Sequence, residues 1–241
     1  MSRLFRVAID GPAASGKSTT AKLLAKKLGF GYIDSGAMYR AVTLRCLESS
    51  VDPQDRDAVA KVAKEARIRF PSIGAVELDG RDVSDKIRTS AIVQNINPIA
   101  SNPSVRSELA EKQRAMARGS TDQNWPGFQW RARTVHGVVM DGRDIGTVIL
   151  PDAELKVFII ADAKVRAQRR FDELAAKNSL APGETVESIA HDLHLRDEAD
   201  RTRKVSPLKK ADDAIELDTS NRTIDEQVAA IEEMIYKRLD A

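Results

Sequence analysis

Gly11-Pro12-Ala13-Ala14-Ser15-Gly16-Lys17-Ser18 is the stretch of this chain that decides the fold. It fits the pattern G-x-x-x-x-G-K-[ST] at every fixed position, which is typical of a loop that binds phosphate. The apolar run Val7-Ala8-Ile9 before it predicts a short buried strand, and leucines at helical spacing predict a helix over 19–28. A strand, a glycine loop and a helix in this order surround a phosphate chain with backbone N–H groups.

The polar side chains of the loop suit contact with phosphates and with a metal ion. Lys17 can reach the β- and γ-phosphates of a nucleotide, and the Ser18 hydroxyl can hold Mg²⁺. We therefore predict that the nucleotide is bound by the consecutive residues Gly11, Pro12, Ala13, Ala14, Ser15, Gly16, Lys17, Ser18 and Thr19.

Length and composition limit the class of protein. A chain of 241 residues is long enough for one large α/β domain with an inserted lobe. The 38 basic and 36 acidic residues nearly balance, whereas nucleic-acid and membrane-surface binders usually carry a large basic excess. The single cysteine, Cys46, excludes an internal disulfide and suits a reducing compartment.

The sequence also predicts where the protein works. No apolar run approaches the ~20 residues of a membrane span. A first strand from about Leu4 leaves no room for a signal peptide. We expect a cytoplasmic protein that binds neither nucleic acid nor membranes, and we expect it to be a monomer.

The order of the predicted elements favours a parallel sheet between two layers of helices. A short strand at 31–33 and a helix at 37–48 follow the first helix, which is a βαβα beginning. The continuous apolar runs at 135–140 and 155–160 are typical of buried parallel strands. The remaining predicted elements are helices at 163–178, 184–200 and 224–239 and a last strand at 214–217.

The middle of the chain has a different pattern. Short strands at 68–70 and 75–78 predict a small hairpin, which indicates a lobe inserted into the α/β core. Both tryptophans lie in a polar stretch that we interpret as an extra loop. The predicted domains are a core of residues 1–50 and 135–241, a lobe of residues 51–118 with helices at 55–67, 89–97 and 103–118, and the extra loop 119–134.

A first charged cluster is Asp34-Ser35-Gly36-Ala37-Met38-Tyr39-Arg40, after the second predicted strand. Ser35 is in the position of a helix cap, and Arg40 lies about one turn inside that helix. Because ligands of open parallel sheets bind at the carboxyl ends of the strands, Arg40 is a candidate for holding an anion.

A second cluster is Asp141-Gly142-Arg143-Asp144-Ile145-Gly146-Thr147, at the end of another predicted strand. Asp141 is in a position where an acidic residue can hold Mg²⁺ through water. The two glycines would let Arg143 and Asp144 approach a ligand closely. Burying so many charges for structure alone would be costly, so we predict that this cluster is functional.

A third cluster is the charged segment from Arg196 to Lys204. Arg196, Asp200 and Arg203 fall at i, i+4 and i+7, so they are predicted to share one face of a helix. Arg166, Arg169 and Arg170 lie on the preceding predicted helix. Two helices with facing arginines are a plausible lid over a triphosphate, and we place this lid at about residues 166–204.

The phosphate loop alone leaves GTPases, helicases, transporters and small-molecule kinases open. The three clusters favour the last class, because such kinases direct basic residues at a second, phosphorylated substrate. A regulatory GTPase is the alternative of a different class, and the chain lacks the guanine-reading N/T-K-x-D motif. A kinase for UMP, AMP or another small acceptor is the alternative of the same class.

Taken together, these motifs resemble the bacterial cytidylate kinases. The resemblance runs in order over nearly the whole chain except residues 119–134, on the strings GPAASGKST, DSGAMYR, DVSDKIRT, DGRDIGTVILPDA and RDEADRTRKVSPL. It implies an enzyme that transfers the γ-phosphoryl group of ATP to CMP or dCMP with Mg²⁺. It also implies a parallel-sheet core, a monophosphate-binding lobe and a mobile lid.

The resemblance further implies a role for each matching position. The phosphate of CMP is held by Arg40 and Arg143, and the cytosine is read by Arg106 and Asp144. The sugar hydroxyls are bound by Arg196 and Asp200, and Arg203 reaches the phosphates from the lid. Ser35 also belongs to the CMP site, and Asn97 stands where some members have a serine near the base. Lys17, Arg143, Arg196 and Arg203 are the implied catalytic set, and Ser18 and Asp141 the implied metal ligands.

Overall fold

A computed structural model describes residues 4–119 and 125–240. The strands in these residues are β1 (Phe5–Asp10), β2 (Gly31–Asp34), β3 (Ile68–Arg69), β4 (Glu77–Leu78), β5 (Arg81–Asp82), β6 (Phe128–Trp130), β7 (Arg133–Val135), β8 (Gly137–Gly142), β9 (Leu155–Ile160) and β10 (Ile215–Asp218). Five of them form a parallel sheet in the order β10-β9-β1-β8-β2. This confirms the predicted α/β fold class.

The helices agree with the predicted ones to within a few residues. They are α1 (Lys17–Leu28), α2 (Ser35–Glu48), α3 (Arg56–Glu65), α4 (Ser90–Ser101), α5 (Pro103–Ala117), α6 (Ala163–Ala176), α7 (Val186–Thr202) and α8 (Ile224–Asp240). A 3₁₀ turn covers Lys86–Arg88 and a π-helical turn covers Ile145–Ile149. Among the described residues, no helix is both long and apolar enough to cross a membrane.

The chain divides into two units. The first unit consists of Met1–Arg6 and Ala25–Asp141, and the second of Val7–Leu24 and Gly142–Ala241. The predicted lobe, residues 51–118, lies within the first unit. The domain boundaries given by the sequence stay a prediction.

The first unit contains the pair β2 and β8. They run parallel with Gly31 opposite Val138 and Asp34 opposite Asp141, so their carboxyl ends stop at the same level. Helix α2 packs against α4, and α3 packs against α5. Where the sequence predicted a hairpin, β3, β4 and β5 form a three-stranded antiparallel sheet.

The predicted extra loop contains regular structure. Residues 120–124 lie outside the described residues, but β6 and β7 beyond them form an antiparallel hairpin. The ring of Phe128 lies 5.7 Å from that of Phe30 between centroids, and the Trp125 ring covers Gly31 so closely that a Cβ there would come within 2.0 Å of it. Because Phe30 and Gly31 stand at the amino end of β2, the hairpin lies at the amino end of this strand, opposite the end that carries Asp34.

The second unit contains most of β1, together with β9 and β10. Asp10, the last residue of β1, lies opposite Phe158 of β9, and β10 pairs with β9 on its other side. Helices α6 and α7 pack against each other, and α8 packs against β9. The phosphate loop, the second charged cluster from Gly142 onward and the predicted lid therefore belong to one unit.

Candidate active site

The phosphate loop joins β1 to α1 within the second unit, as the sequence predicts. Gly11 is required there, because a Cβ would lie 2.2 Å from the backbone oxygen of Ile159. Ala14 adopts a φ of 57°, which is an uncommon conformation for a residue with a side chain. Lys17 begins α1 and is 6% exposed. Its Nζ donates a hydrogen bond of 3.1 Å to the carbonyl of Pro12, so the lysine is folded over the loop.

Asp10 is a buried carboxyl at the start of this loop that the sequence analysis did not single out. Its two oxygens accept hydrogen bonds from the amides of Ile145, at 2.9 Å, and Gly146, at 2.7 Å. Burial raises the pKa of Asp10 to about 7, against the lowering effect of these amides and of Lys17. Asp144 nearby raises it further. The carboxyl therefore links the start of the phosphate loop to the turn that follows Arg143 and Asp144.

Arg143, Asp144, Asp200 and Arg203 come together in the second unit. The Nε of Arg143 donates to Oδ2 of Asp200 at 2.8 Å, and Nη1 of Arg203 lies 3.3 Å from the other oxygen of Asp200. Nη2 of Arg203 lies 3.7 Å from Oδ1 of Asp144. Burial would raise the pKa of Asp200, but Arg143, and then Arg203 and Arg196, hold it below its ordinary value.

The prediction that Arg203 lies on the same helical face as Arg196 and Asp200 is wrong. Helix α7 ends at Thr202, and Arg203 is its C-cap in an extended conformation, at φ −61° and ψ 139°. Its Nε donates to the carbonyl of Ser206. In this extended conformation the guanidinium of Arg203 lies near the carboxylate of Asp144. Arg196 is on α7 and exposed.

The arginines of α6 do not act as one set. Arg166 contacts the phosphate loop through the carbonyl of Ala13, at 3.0 Å. Arg169 donates to Thr219, at 2.6 Å to its carbonyl, and lies 3.5 Å from the carbonyl of Ser15. Arg170 instead pairs with Glu173 on the exposed side of the helix. Two of the three predicted lid arginines thus reach the phosphate loop and the third does not.

The first cluster is organised within the first unit by Asp34. One of its oxygens accepts from the amide of Ala37 at 2.8 Å, which makes Asp34 the cap of α2, and the other accepts from Nη2 of Arg40 at 2.8 Å. The prediction that Ser35 is the cap is therefore wrong. The Nε of Arg40 is buried and has no hydrogen-bond partner among the described residues. A buried donor in this state suits an incoming anion.

Ser35 and Tyr32 both hold Asp141, at the carboxyl end of β8. The Ser35 hydroxyl donates to the backbone carbonyl of Asp141, and the Tyr32 hydroxyl donates to its Oδ1, each at 2.7 Å. Burial, with the charge of Asp141 next in size, raises the pKa of Tyr32, so this phenol stays a donor. The geometry keeps the Asp141 carboxylate fixed at the sheet edge.

Arg106 and Asn97 occupy two neighbouring helices of the first unit. The Arg106 guanidinium is buried, lies 5.4 Å from the centroid of the Tyr39 ring and donates to the carbonyl of Ala100 at 3.2 Å. Asn97 is exposed on α4, directly before Pro98. Tyr39 thus supports Arg106, a contact that no sequence pattern indicated.

The proposed metal ligands carry suitable donor atoms. Mg²⁺ prefers oxygen ligands, few of them from the protein, and the candidates are the hydroxyl of Ser18 and the carboxylate of Asp141. Ser18 is half-buried near the start of α1, and Asp141 is 3% exposed. Within the described residues no group of three or more His, Cys, Asp and Glu side chains could hold a metal ion. Taken one at a time, the Ser18 hydroxyl and the Asp141 carboxylate each carry the kind of oxygen donor that Mg²⁺ prefers.

A parallel α/β sheet, a phosphate loop with its lysine, and clustered arginines define a phosphotransferase of the P-loop kinase class. The family model described as cytidylate kinase matches residues 7–237. The chain belongs to the cytidylate kinase family.

Individual relatives agree over almost the full length. A cytidylate kinase of Chloroherpeton thalassium is 50% identical over 95% of this chain and 92% of its own. One of Limosilactobacillus reuteri is 44% identical over 100% and 99% of the two chains. Among solved structures, a protein of Thermus thermophilus aligns over 98% of both chains with 15% identity and a TM-score of 0.46.

Proposed function

We propose that the protein transfers the γ-phosphoryl group of ATP to CMP or dCMP, giving ADP and CDP or dCDP. The observation that carries this proposal is the network of arginines around Asp200, which lies in the same unit as the phosphate loop. The chain is also a member of the cytidylate kinase family. The guanidinium groups of this network can bind the anionic groups of the two substrates. The acceptor is a phosphate oxygen already ionised at neutral pH, so no general base is needed.

The residues of the second unit would act on the donor and on the transferred group. Backbone amides of the phosphate loop bind the phosphates, and Lys17 neutralises charge that develops as the γ-phosphoryl group leaves. Arg203, with Arg143 and Arg196, stabilises the same charge when the lid closes and water is excluded. A bound Mg²⁺, held by Ser18 and through water by Asp141, would neutralise phosphate charge.

Recognition of the acceptor would combine phosphate, base and sugar contacts. Arg40 and Arg143 hold the CMP phosphate, Ser35 and Asn97 contribute to the nucleoside site, and Asp200 with Arg196 binds the sugar hydroxyls. Asp144 accepts from the cytosine N4 amino group, and Arg106 donates to its acceptor atoms. Uracil presents an acceptor to Asp144, and an unsatisfied buried group costs about 1–3 kcal/mol.

A coupled assay with ATP and a panel of monophosphates tests this proposal. CMP and dCMP should be the best acceptors, with UMP weaker and AMP and GMP poor. Lys17→Ala should lower kcat at least about 100-fold, because it removes a preorganised cation at the transferred group. Lys26→Ala, on the exposed side of the same helix, is the matched control and should keep wild-type turnover.

Two outcomes would overturn the assignment. Equal turnover of UMP or AMP would favour a broader kinase, and no phosphoryl transfer to any monophosphate would favour a regulatory nucleotide-binding protein. We further propose that the protein is cytoplasmic, because a chain with a single cysteine suits a reducing compartment, and that it is a monomer. Light scattering after size-exclusion chromatography measures the oligomeric state directly.

A further inference from the structure

The backbone N–H and the backbone C=O of one phosphate-loop residue, Ala13, are both held by the lid helices. The amide of Ala13 donates to Oδ1 of Asp197 at 3.1 Å, and the carbonyl of Ala13 accepts from Nη1 of Arg166 at 3.0 Å. The same Nη1 lies 2.5 Å from Oδ2 of Asp197. These three contacts close a ring between the loop, α6 and α7.

The ring is buried and sits on an apolar base. Asp197 is 3% exposed, and the Arg166 side chain is 11% exposed. Ala13 belongs to a buried apolar cluster with Ala167 of α6 and with Ile189 and Leu193 of α7, and Ala14 packs against that cluster. Ala13 and Ala14 of the phosphate loop thus belong to the apolar core that α6 and α7 form with each other.

This arrangement bears on the shape of the loop. Ala14 directly follows the anchored residue Ala13 and has a positive φ of 57°, a conformation that persists only where the surroundings impose it. A charged, doubly accepting carboxylate imposes it more strongly than a neutral acceptor, since hydrogen bonds to charged groups are the stronger ones. The ring therefore holds the two peptide groups that flank the Cα of Ala13 in the orientation that the loop needs.

We propose that Asp197, acting on the Ala13 backbone directly and through Arg166, is a positioning residue that sets the phosphate-binding shape of the loop and couples it to the lid helices. The inference rests on the proposed function, because it concerns the donor side of the same reaction. Asp197 touches no substrate in this scheme. Its loss should weaken ATP and ADP binding and lower kcat, with a much smaller change in the KM for CMP.

The central variant is Asp197→Asn, which keeps an acceptor for the Ala13 amide but removes the charge. Its matched control is Asp192→Asn, the same change at an exposed position of the same helix. We expect Asp197→Asn to raise the Kd for ADP, titrated calorimetrically without acceptor, by about tenfold. We expect the KM for ATP to rise with it and the control to match the wild type.

A second, conservative variant of the same ring tests the inference if Asp197→Asn does not fold. Arg166→Lys keeps the charge but cannot serve the Ala13 carbonyl and Asp197 with the same planar group, so it should also weaken ADP binding. In the double variant the two losses should not add, because the two side chains pair with each other and act on the backbone of one residue, Ala13.

Two results would overturn the inference. One is a lower melting temperature of Asp197→Asn with unchanged ADP binding and unchanged kcat, which would make the ring merely structural. The other is an equal loss in Asp192→Asn. Neither result touches the proposed function, which fails only if the wild-type protein does not phosphorylate CMP.

Discussion

At the scale of single residues, Asp10 shows how burial changes an ordinary carboxyl. Its side chain is 5% exposed and accepts two amide hydrogen bonds, yet burial raises its pKa to about 7. In the unfolded chain an aspartate ionises near 3.9. Between these two values the folded protein binds the extra proton, so this group makes the free energy of unfolding fall as pH rises from about 4 to 7.

Asp10→Asn should remove this dependence on pH. Near pH 5 the wild type carries a neutral carboxyl. The two proteins then differ mainly in the one amide hydrogen bond that the asparagine NH₂ group cannot accept. At pH 8 the wild type carries a buried charge that the variant lacks. The stability of the variant relative to wild type should therefore improve by about 2–3 kcal/mol from pH 5 to pH 8.

Urea denaturation at several pH values measures this difference. Asp192→Asn, at an exposed position, is the control and should follow the wild-type curve throughout. If the difference in the free energy of unfolding between Asp10→Asn and the wild type is the same at pH 5 and at pH 8, then Asp10 titrates at its ordinary pKa in the folded protein.

At the scale of elements, the end of α7 places Arg203 outside the helix that carries Arg196 and Asp200. Because α7 stops at Thr202, Arg203 leaves the helix and pairs with both Asp200 and Asp144. An arginine in a chain segment beyond a helix can move with less disturbance of packed structure than one inside it. This suits a group that reaches the transferred phosphoryl only in the closed state.

Arg203→Ala should lower kcat far more than it weakens CMP binding. Contacts made mainly in the transition state appear in turnover and not in ground-state affinity. A cation at the transferred group contributes on the order of a thousandfold. Arg201→Ala is the control, because Arg201 is exposed and its guanidinium lies 3.8 Å from Glu198, another exposed residue of the helix.

Steady-state kinetics and a direct titration with CMP separate the two effects. Weakened CMP binding with unchanged kcat would assign Arg203 to the acceptor site instead of the closing lid.

The hairpin of β6 and β7 is the second element with a consequence. It packs through Phe128 on Phe30, at the amino end of β2, whereas Asp34 is the last residue of that strand and Ser35 follows it. Phe128→Ala should therefore lower the free energy of unfolding by about 1–3 kcal/mol, below the range for a fully buried phenylalanine because Phe128 is only half-buried. The KM for CMP should stay within about twofold of wild type, a factor worth less than ~0.5 kcal/mol.

Chemical denaturation and acceptor kinetics on the same preparation check both statements. A variant of Gln129, Gln129→Ala, removes an exposed side chain of the same strand and serves as the control. A large rise in the KM for CMP alone would mean that the hairpin covers the acceptor site.

At the scale of the whole molecule, the proposed substrates should act as stabilisers of the native state. A ligand that binds only the folded chain raises the free energy of unfolding by about 2.7 kcal/mol at a concentration of 100 times its Kd. CMP and ADP should each raise the melting temperature, and GMP should not. Thermal unfolding monitored by circular dichroism gives the comparison, and an equal shift with CMP and GMP would contradict the cytosine-reading role of Asp144 and Arg106.

Much of this protein follows from its sequence alone. The phosphate loop, the parallel sheet and nearly every helix are encoded in local patterns: spacing of apolar residues, glycines that permit one backbone path, and residues that begin or end a helix. The family resemblance gave Arg143, Asp144, Asp200 and Arg203 roles towards the substrates, but the ion pairs that join these four residues were seen only in the structure.

The tertiary structure alone decided which partner each polar group took. Asp34 and Ser35 are both good helix caps, and Asp34 became the cap because the Ser35 hydroxyl donates to Asp141, 106 residues away. Asp10 accepts from two amides that lie 135 and 136 residues away in the sequence. Asp197 accepts from the backbone N–H of Ala13, which is 184 residues away. Local patterns cannot specify such choices, because a buried polar group takes whichever partner the packed fold brings within hydrogen-bonding distance.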